Sequence, residues 1–498
     1  DITLGSGTIT IGNIFSVTAT GVGSYVNTGN TVDFSKATTQ TIPAINYLNI
    51  TNTGNGVRTL ANGVIKIAST FTPGSSNYTI GTSTVEFNGS AAQTIPVLPV
   101  ASGGNYYNLT YSGNSIGTLG GSITVAGNFV QSAGNFQITS TSSASAVTLN
   151  VTGNVTLSNA AILKLLNSTI NGASATLNVT GNTTTSGSTS IFFETVNNSN
   201  ASGIAIFQTN DFTTTSIVSN IIDFGISTVL GNEFRISGNF SKSGSGKFLT
   251  SSSSASTGFV FNKSGTQTFS YSGANSSNTQ YVVNSGSTLQ LLTSLTMGAF
   301  TNPTSTFTVN GTLDMGTNVI SGTTNPTFTL GATGAIITSN TGGLVTAITT
   351  PGTNVFTAGA SYTFNGATIT PFHSATLGAP ADVIINANVT LNKSTTITNS
   401  ISLTSGTLTV GANTLTLSGS TINRDGTTYT GNIDASNASA TVAFTNTSAL
   451  TIPASTFTGT CKNITMNGAG GITLGSDLTI GGTLTFTSGK ITSGSNKV

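Results

Sequence analysis

"AVTLNVTGNVTL" (Ala146–Leu157) alternates apolar and polar side chains on either side of a Thr-Gly-Asn break. Val, Thr and Leu favour strands, while Gly and Asn are typical of turns, so the stretch predicts two short strands joined at a corner. Related phrases surround it: "ITVAGN" begins at Ile123, "LNVTGN" at Leu149 and again at Leu177, and "FRISGN" at Phe234. The repetition of this phrase, rather than any single strand, therefore decides the fold.

The spacing of the phrases gives the length of the repeating unit. The successive steps are 26, 28 and 57 residues, and "IAIFQTN" from Ile204 divides the longest step into 27 and 30. A unit of this size is too short for a β-sandwich, which needs about 100 residues, but it suits one coil of a solenoid. We therefore expect an all-β, right-handed parallel β-helix with roughly 27 residues per coil and roughly 18 coils.

A second phrase occurs twice without a gap in the alignment. "TVDFSKATTQTIPA" (Thr31–Ala44) and "TVEFNGSAAQTIPV" (Thr84–Val97) are offset by 53 residues, which we interpret as two coils. Each copy is interpreted as one face of a coil and its corner. The predicted placements are Phe87 and Ile95 in the core, Glu86 outward, Asn88 and Gly89 in the turn, and Pro96 at the end of the strand.

The composition limits the partners that the chain can have. Only 5% of the 498 residues are charged, against about 25% in an average protein, and the net charge is +1. Nucleic acids and anionic membranes select clustered Lys and Arg, so neither is an expected partner. The sequence has no run of about 18 apolar residues, so no membrane span is expected. A chain with so few sites for trypsin-like proteases suits an extracellular, cell-surface location.

Both ends of the sequence resemble the interior of the repeat. The final "SGKITSGSNKV" aligns with "SGTLTVGANTL" from Ser405, and "DITLGSGTITIGN" at the start resembles "GITLGSDLTIGGT" from Gly471. We therefore expect residues 1–498 to be one continuous β-solenoid segment of a longer array, with further repeats or other proteins covering its ends.

Acidic residues are the first candidates for general acid–base chemistry. Of the twelve acids, five immediately precede a Phe, and alternation along a strand predicts that the Phe points inward and the acid outward into water. These five acids are Asp33, Glu86, Asp211, Asp223 and Glu233.

The residues 211–247 form the most charged stretch of the chain. It contains Asp211, Asp223, Glu233, Arg235, Lys242 and Lys247. The spacing from Asp211 to Glu233 is slightly less than one expected coil, so stacking on adjacent coils would give a carboxylate pair, the one enzyme-like arrangement that the sequence offers. We expect instead a solvated, exposed cluster in which Glu233 and Arg235 share one side of a strand. No catalytic, metal or cofactor site is expected elsewhere.

Two other reactive residue types occur once each. His373 lies in "ITPFHSA" without a nearby acid or Cys, which predicts a loop histidine. Cys461 in "CKNIT" takes the position of Tyr47 in "YLNIT" and Tyr106 in "YYNLT", which predicts a core position rather than a nucleophile. As the only cysteine, it cannot form an intrachain disulfide.

The repeats resemble those of a known family. "TVEFNGSAAQTIP", "NYYNLTYSG" and "GSITVAGNF" are similar to repeats of giant secreted surface proteins of Bacteroidota, including gliding-motility adhesins exported by type IX secretion. The resemblance covers nearly the whole chain. It implies a long cell-surface filament that is moved along the cell and grips a substratum, with surface and secretion-machinery proteins as partners. The C-terminal secretion signal expected of such proteins is absent from this sequence.

Three functional hypotheses follow. The first is an adhesive segment of an extracellular filament that attaches to surfaces or polysaccharide by many weak contacts, without catalysis or cofactors. The alternative is a β-helical polysaccharide-degrading enzyme or lyase with its site near residues 211–247. Tandem immunoglobulin-like modules would require a spacing near 90 and a buried Trp. The sequence contains no Trp and no such spacing.

Overall fold

A computed structural model describes residues 6–16, 29–100, 104–170, 172–194, 203–218, 220–224, 231–249, 258–272, 279–298, 305–374 and 377–498. The chain is nearly all β and forms a parallel β-solenoid of about 18 turns with roughly 24 residues per turn. By its internal contacts it divides into two compact units, Asp1–Val260 with Ser272–Thr279 and Phe261–Tyr271 with Gln280–Val498. The predicted solenoid and its number of coils are confirmed.

In the first unit the described strands form five parallel sheets, which we name A to E. Sheet A is Gly7–Ile11, Asn30–Phe34, Asn49–Thr51 and Phe71–Thr72; sheet B is Gln40–Ile42, Arg58–Leu60 and Tyr78–Thr79. Sheet C is Asn46–Tyr47, Val64–Ile67, Thr84–Phe87, Asn108–Tyr111, Phe129–Gln131, Val155–Leu157, Thr183–Thr185, Phe212–Thr214 and Phe240–Lys242. Sheet D is Gln93–Ile95, Ile116–Leu119, Asn135–Gln137, Ile162–Leu166, Ser190–Glu194, Asn220–Asp223 and Lys247–Leu249. Sheet E is Ile123–Val125, Ala146–Val151, Ser174–Val179, Ala205–Thr209, Glu233–Ile236 and Gly258–Phe261, whose last residue belongs to the second unit.

The second unit contains sheets F to K and a one-turn helix, Gly343–Ala347. Sheet F is Gly265–Tyr271, Ser287–Leu291, Thr312–Gly316, Ala335–Thr338, Ser361–Phe364, Asp382–Ile385, Ser400–Leu403 and Thr421–Asn423. Sheet G is Tyr281–Val283, Thr306–Val309, Thr327–Leu330 and Asn354–Phe356; sheet H is Leu295–Met297, Ile320–Gly322 and Ile348–Thr349. Sheet I is Val389–Thr390, Thr407–Thr409 and Asn432–Asp434; sheet J is Thr395–Ile397, Thr414–Leu417, Thr441–Phe444, Asn463–Asn467 and Leu484–Ser488; sheet K is Leu450–Ile452, Ile472–Leu474 and Ile491–Thr492.

Alternation along each strand separates the core from the surface. In Ala146–Val151 the side chains of Val147, Leu149 and Val151 are buried, while Thr148 and Asn150 between them lie on the outer face. Successive coils place like residues on top of one another, as where Leu149 pairs with Leu177. The core therefore consists of columns of apolar side chains that run from coil to coil, each excluding water from the next.

Aromatic rings form part of these columns. Phe207 and Phe234, paired on neighbouring strands of sheet E, stack with ring centroids 4.5 Å apart at 12°. In sheet G, Phe307 stacks on Phe328 at 6.0 Å and 17°. Such ring pairs contribute about 0.5–1.5 kcal/mol each beyond the area that they bury. They favour the register in which rings of successive coils lie over one another.

The coil length varies along the chain over a wider range than the steps between the repeat phrases. One coil runs from Leu149 to its partner Leu177. The coil from Val383 to its partner Ile401 contains far fewer residues. The predicted length of roughly 27 residues was drawn from residues 123–236, where the corners are long. Shorter corners elsewhere bring the mean to roughly 24 residues.

The copy of the phrase near Ile204 lies in the predicted strand, but its predicted register was wrong by three residues. Leu177 pairs with Phe207, and Phe207 pairs with Phe234, so the longer step comes first and the shorter one second. This register brings Phe207 rather than Ile204 into the inward column. Burial of the larger apolar side chain favours it, and Ile204 is left partly exposed.

The offset between the two "QTIP" phrases is not two coils. Two steps of sheet A lead from Val32 through Ile50 to Phe71, which lies well before the second copy in the chain. The strand of that second copy, Thr84–Phe87, lies in sheet C. The phrase therefore encodes a strand and the corner after it, and it recurs at different corners of the coil.

Within one copy, the predicted placements are confirmed. Phe87 and Ile95 are fully buried, and the strand Gln93–Ile95 ends directly before Pro96. Glu86 lies on the outer face, where Lys66 Nζ is 3.1 Å away and the Ser112 hydroxyl donates a hydrogen bond of 2.6 Å. These two contacts cover most of its carboxylate.

Candidate functional site

A column of five Asn side chains and one Asp side chain runs through the corner between sheets E and C in the first unit. Each side-chain oxygen accepts a hydrogen bond from the backbone N–H of the residue that follows one coil further along. The bonds are Asn128 N to Asn108 Oδ1 at 2.8 Å, Asn154 N to Asn128 Oδ1 at 2.8 Å, Asn182 N to Asn154 Oδ1 at 2.9 Å, Asp211 N to Asn182 Oδ1 at 3.2 Å and Asn239 N to Asp211 Oδ1 at 2.6 Å. We call these six residues the Asn ladder.

The ladder explains the Gly that precedes Asn in the repeated phrase. A Cβ atom at Gly153 would lie 2.5 Å from both Asn128 Oδ1 and the carbonyl oxygen of Gly127. A contact this short forces the ladder oxygen or the backbone to move. The sequence signal for the ladder was the Gly-Asn pair of the repeated phrase, but this pair was interpreted only as a turn. Its additional role is to join one coil to the next.

Asp211 is a member of this ladder, and it does not form the enzyme-like carboxylate pair with Glu233. Glu233 pairs in register with Ile206, five residues before Asp211 along the same coil. At about 3.3 Å per residue, that separation places the two acids at different points of the cross-section. The spacing between the two acids is shorter than the coil that leads from Ile206 to Glu233.

Glu233 and Arg235, two members of the predicted charge cluster, form an ion pair. They lie on the outer face of the same strand, with Arg235 Nε 2.5 Å from Glu233 Oε2 and both side chains partly exposed. The predicted placement on one side of a strand is confirmed. An exposed pair of this kind is worth about 0–1 kcal/mol.

Asp223 and Lys242 do not lie on a solvated face, which corrects the expectation for both. Asp223 is buried at the end of a strand of sheet D, in register with Phe192. Lys242 is also buried, and its Nζ donates to the carbonyl oxygens of Gly244 at 2.6 Å and Ser272 at 2.8 Å. Burial lowers the pKa of this lysine. Both residues are therefore part of the interior of the coil.

Asp33 also departs from the rule that an acid before Phe points into water. Phe34 is buried as predicted, but Asp33 is buried as well. Its carboxylate accepts hydrogen bonds from Thr53, at 3.1 Å from the backbone N–H and 2.7 Å from the hydroxyl. The strand Asn49–Thr51 that precedes Thr53 pairs with the strand of Asp33, so this acid joins consecutive coils.

The Gln of the "QTIP" phrase is a structural residue that sequence reasoning did not identify. Gln93 Oε1 accepts from the backbone N–H of Gly89 at 2.7 Å, and Gln93 Nε2 donates to the carbonyl oxygens of Ile67 and Ser69 at 2.9 Å each. Gln40 makes the equivalent bonds in the first copy, donating to Ile11 and Asn13. The retained Gln at one position in both copies was the available signal.

Arg58 takes the place of this Gln in the coil after Gln40. It is 0% exposed. Its guanidinium donates to the carbonyl oxygens of Phe34 at 2.8 Å, Lys36 at 2.9 Å and Gly56 at 2.7 Å. A buried cation is tolerated here because backbone carbonyl dipoles surround it.

His373 lies in a loop, as predicted, and borders a groove in the second unit. Its ring stacks on Phe356 with centroids 5.2 Å apart, and Nε2 is 3.1 Å from the carbonyl oxygen of Ile348. Burial lowers the pKa of His373, and the neighbouring Lys393 adds to this effect. Val355, on the edge strand of sheet G, and Thr353, directly before that strand, line the same groove.

Cys461 is buried, as its alignment with Tyr47 and Tyr106 predicted. Burial raises the pKa of its thiol to about 12, and the negative charge of Asp434 contributes. The thiolate form needed for nucleophilic attack or metal binding is therefore disfavoured at neutral pH.

Comparison with known proteins gives no assignment. No family model matches the sequence, and neither a curated protein nor a solved structure matches it. Within the described residues, no three His, Cys, Asp or Glu side chains are grouped so that they could hold a metal ion. In that same part of the chain, no helix is long and apolar enough to cross a membrane.

Proposed function

We propose that this chain is a structural and adhesive segment of an extracellular, cell-surface filament that attaches to polysaccharide or to a solid surface. The proposal takes up the resemblance of the repeats to gliding-motility adhesins exported by type IX secretion. In it, the chain acts through many weak contacts along its coils. Its proposed partners are polysaccharide or a solid surface and, at the ends of the chain, other surface or secretion-machinery proteins.

The observation that carries the proposal is the column of hydroxyl-bearing residues on the outer face of sheet C. Paired strands place six residues in one register position, and all of them except Val130 bear a hydroxyl: Thr110, Val130, Thr156, Thr184, Thr213 and Ser241. Neighbouring strands of a sheet lie about 4.8 Å apart, so the four hydroxyls from Thr156 to Ser241 repeat at short, nearly constant intervals. Such a row can hydrogen-bond many hydroxyl groups of a polysaccharide, each weakly, and avidity then supplies the strength.

The bonds between coils support a role under mechanical load. Each coil is joined to the next by its sheet hydrogen bonds and, at a corner, by the Asn ladder. The Gln anchors of the "QTIP" phrase add bonds across other corners. A filament that grips a substratum needs this kind of cohesion between units.

The test is adhesion of the purified chain to a panel of immobilised polysaccharides, with release of reducing ends and unsaturated products measured on the same panel. The proposal expects retention on at least one polysaccharide without product formation. Turnover that disappears in Asp211→Asn or Glu233→Gln would instead establish the alternative, a polysaccharide-degrading enzyme or lyase near residues 211–247. Absence of retention on every surface would contradict the adhesive role.

A further inference from the structure

We propose that the outer face of sheet J binds ice through a two-dimensional array of threonine hydroxyl and methyl groups. The array consists of two rows of outward residues that follow the register of the strands. Row 1 is Thr414, Thr441 and Asn463, and row 2 is Thr396, Thr416, Ala443, Thr465 and Thr485. Ice is a solid surface of one defined kind, and the inference does not depend on the attachment to polysaccharide proposed above.

The register of the strands makes the array regular in two directions. Thr414 pairs with Thr441, and Thr416 pairs with Ala443, so both rows continue from one coil to the next. Neighbouring strands lie about 4.8 Å apart, and residues two apart on a strand are separated by about 6.6 Å. The oxygen atoms at the surface of an ice crystal also repeat in two directions over distances of this size. The two rows can therefore meet many positions of the crystal at once.

The hydroxyl groups of the two rows are available to an external partner. Within the part of the chain that the structure describes, the threonine hydroxyls of rows 1 and 2 form no hydrogen bond to another protein group, and their side chains are partly or fully exposed. Directly after the strands, the hydroxyls of Ser418 and Thr445 instead bond to each other at 2.5 Å. A free hydroxyl can both donate and accept a hydrogen bond, as a water molecule does.

The residue types of the array favour ice over a polysaccharide or a charged solid. No residue of the two rows is charged or aromatic. Binding sites for organic ligands are typically lined by apolar and aromatic side chains with a few polar groups, and this face offers no aromatic surface on which sugar rings could pack. A charged side chain would hold its own hydration shell, which differs from the arrangement of water in ice. Alternating hydroxyl and methyl groups can instead order a layer of water that joins the crystal.

Sheet C also carries hydroxyl groups, but its strands provide a single row. Val155–Leu157 and Thr183–Thr185 have one outward residue each, Thr156 and Thr184. A single row matches a crystal in one direction, whereas sheet J can match it in two. The inference is therefore specific to sheet J.

Two substitutions form a matched pair for testing the array. Thr416→Lys places an ammonium group in the middle of row 2. Thr363→Lys makes the same change on the outer face of sheet F in the same unit, where Thr363 lies between Ile337 and Ile384 on the neighbouring strands. Both threonines are partly exposed, and each lies between two buried residues of its strand.

The test is uptake of the full chain from dilute solution into a slowly growing ice crystal, with thermal hysteresis of the same samples as a second readout. We expect the wild type and Thr363→Lys to enter the ice, and Thr416→Lys to be taken up about tenfold less, because the contacts of the array act together. If circular dichroism shows that Thr416→Lys does not fold, Thr485→Lys on the exposed edge strand replaces it. Exclusion of the wild type from ice, or equal uptake of the two Lys variants, would overturn the inference.

Binding to crystalline cellulose separates ice from a solid polysaccharide. Retention of the wild type on cellulose that is lost in Thr416→Lys, without uptake into ice, would overturn the inference and assign sheet J to polysaccharide. Uptake into ice that is lost in Thr416→Lys, without retention on any polysaccharide, would support the inference and count against polysaccharide as the partner proposed above.

Discussion

The carboxylate of Asp211 accepts a hydrogen bond of 2.6 Å from the backbone N–H of Asn239, one coil further along the solenoid. In the coils before it, an Asn oxygen does the same, as where Asn128 accepts from Asn154. Asp211 therefore stands where the repeat otherwise places Asn, and its oxygen serves the same purpose. The acid that the sequence offered as a catalytic candidate is engaged in holding two coils together.

From this position we predict that one substitution of Asp211 is nearly neutral and another is destabilising. Asp211→Asn retains an oxygen acceptor and should change the free energy of unfolding by less than about 0.5 kcal/mol. Asp211→Ala leaves the Asn239 N–H without this partner and should cost about 1–3 kcal/mol. Urea unfolding followed by circular dichroism measures both values. Equal losses in the two variants would contradict the ladder role.

Four of the six ladder residues follow a Gly, and this Gly is predicted to resist even the smallest side chain. Gly153→Ala would place a Cβ atom 2.5 Å from Asn128 Oδ1 and should destabilise the first unit by about 1–3 kcal/mol. Gly12→Ala is the control, because the nearest atom to its added Cβ would be 3.9 Å away. Thermal unfolding of both variants checks the difference. A melting temperature for Gly153→Ala as high as that of the control would refute the steric argument.

Period and alternation were sufficient to predict the fold, because burial of one face of every strand is a local property of the sequence. Phe87 and Ile95 were placed correctly for this reason. Corner length was not predictable, since it depends on how each corner packs on the coil below. The predicted register at Phe207 and the predicted corner of the second "QTIP" copy were wrong because both depend on corner length.

The candidate site was harder to predict than the fold. Contacts between coils join residues far apart along the chain, and a one-residue change in any corner alters which side chains meet. The possible pairing of Asp211 with Glu233 assumed a coil of 22 residues, which is shorter than the observed coil. Glu233 and Arg235 lie on one strand, and their placement was predicted correctly. Arg58 was not identified, because nothing in its local sequence indicates a buried cation.

Arg58 is predicted to be replaceable only by a residue that can reach the same carbonyl oxygens. Arg58→Ala leaves the carbonyls of Phe34 and Lys36 without these donors and creates a cavity, which together should cost about 3–5 kcal/mol. Arg58→Gln should cost less, because Gln40, in register with Arg58 one coil earlier, donates to two backbone carbonyl oxygens in the same way. Chemical denaturation of the two variants and the wild type gives the order. An Arg58→Gln variant less stable than Arg58→Ala would contradict the equivalence.

Cys461 is predicted to make stability fall at alkaline pH. Its thiol ionises near pH 9 in the unfolded chain, whereas burial raises its pKa to about 12 in the folded protein. Between these values the folded state holds the proton more tightly, so the stabilising effect is complete below pH 9 and is lost as the pH rises towards 12. From pH 9 to pH 10 the wild type should therefore lose about 1 kcal/mol more than Cys461→Ala.

Urea unfolding at pH 8, 9 and 10 measures this difference, and tyrosine ionisation is common to both proteins and cancels in the comparison. A second measurement is independent of stability. Because the thiol is buried, a colorimetric disulfide reagent at pH 8 should react with Cys461 only after urea unfolds the chain. Parallel pH profiles for the two proteins, together with rapid reaction of the native thiol, would show that Cys461 is exposed and ionises at its ordinary pKa.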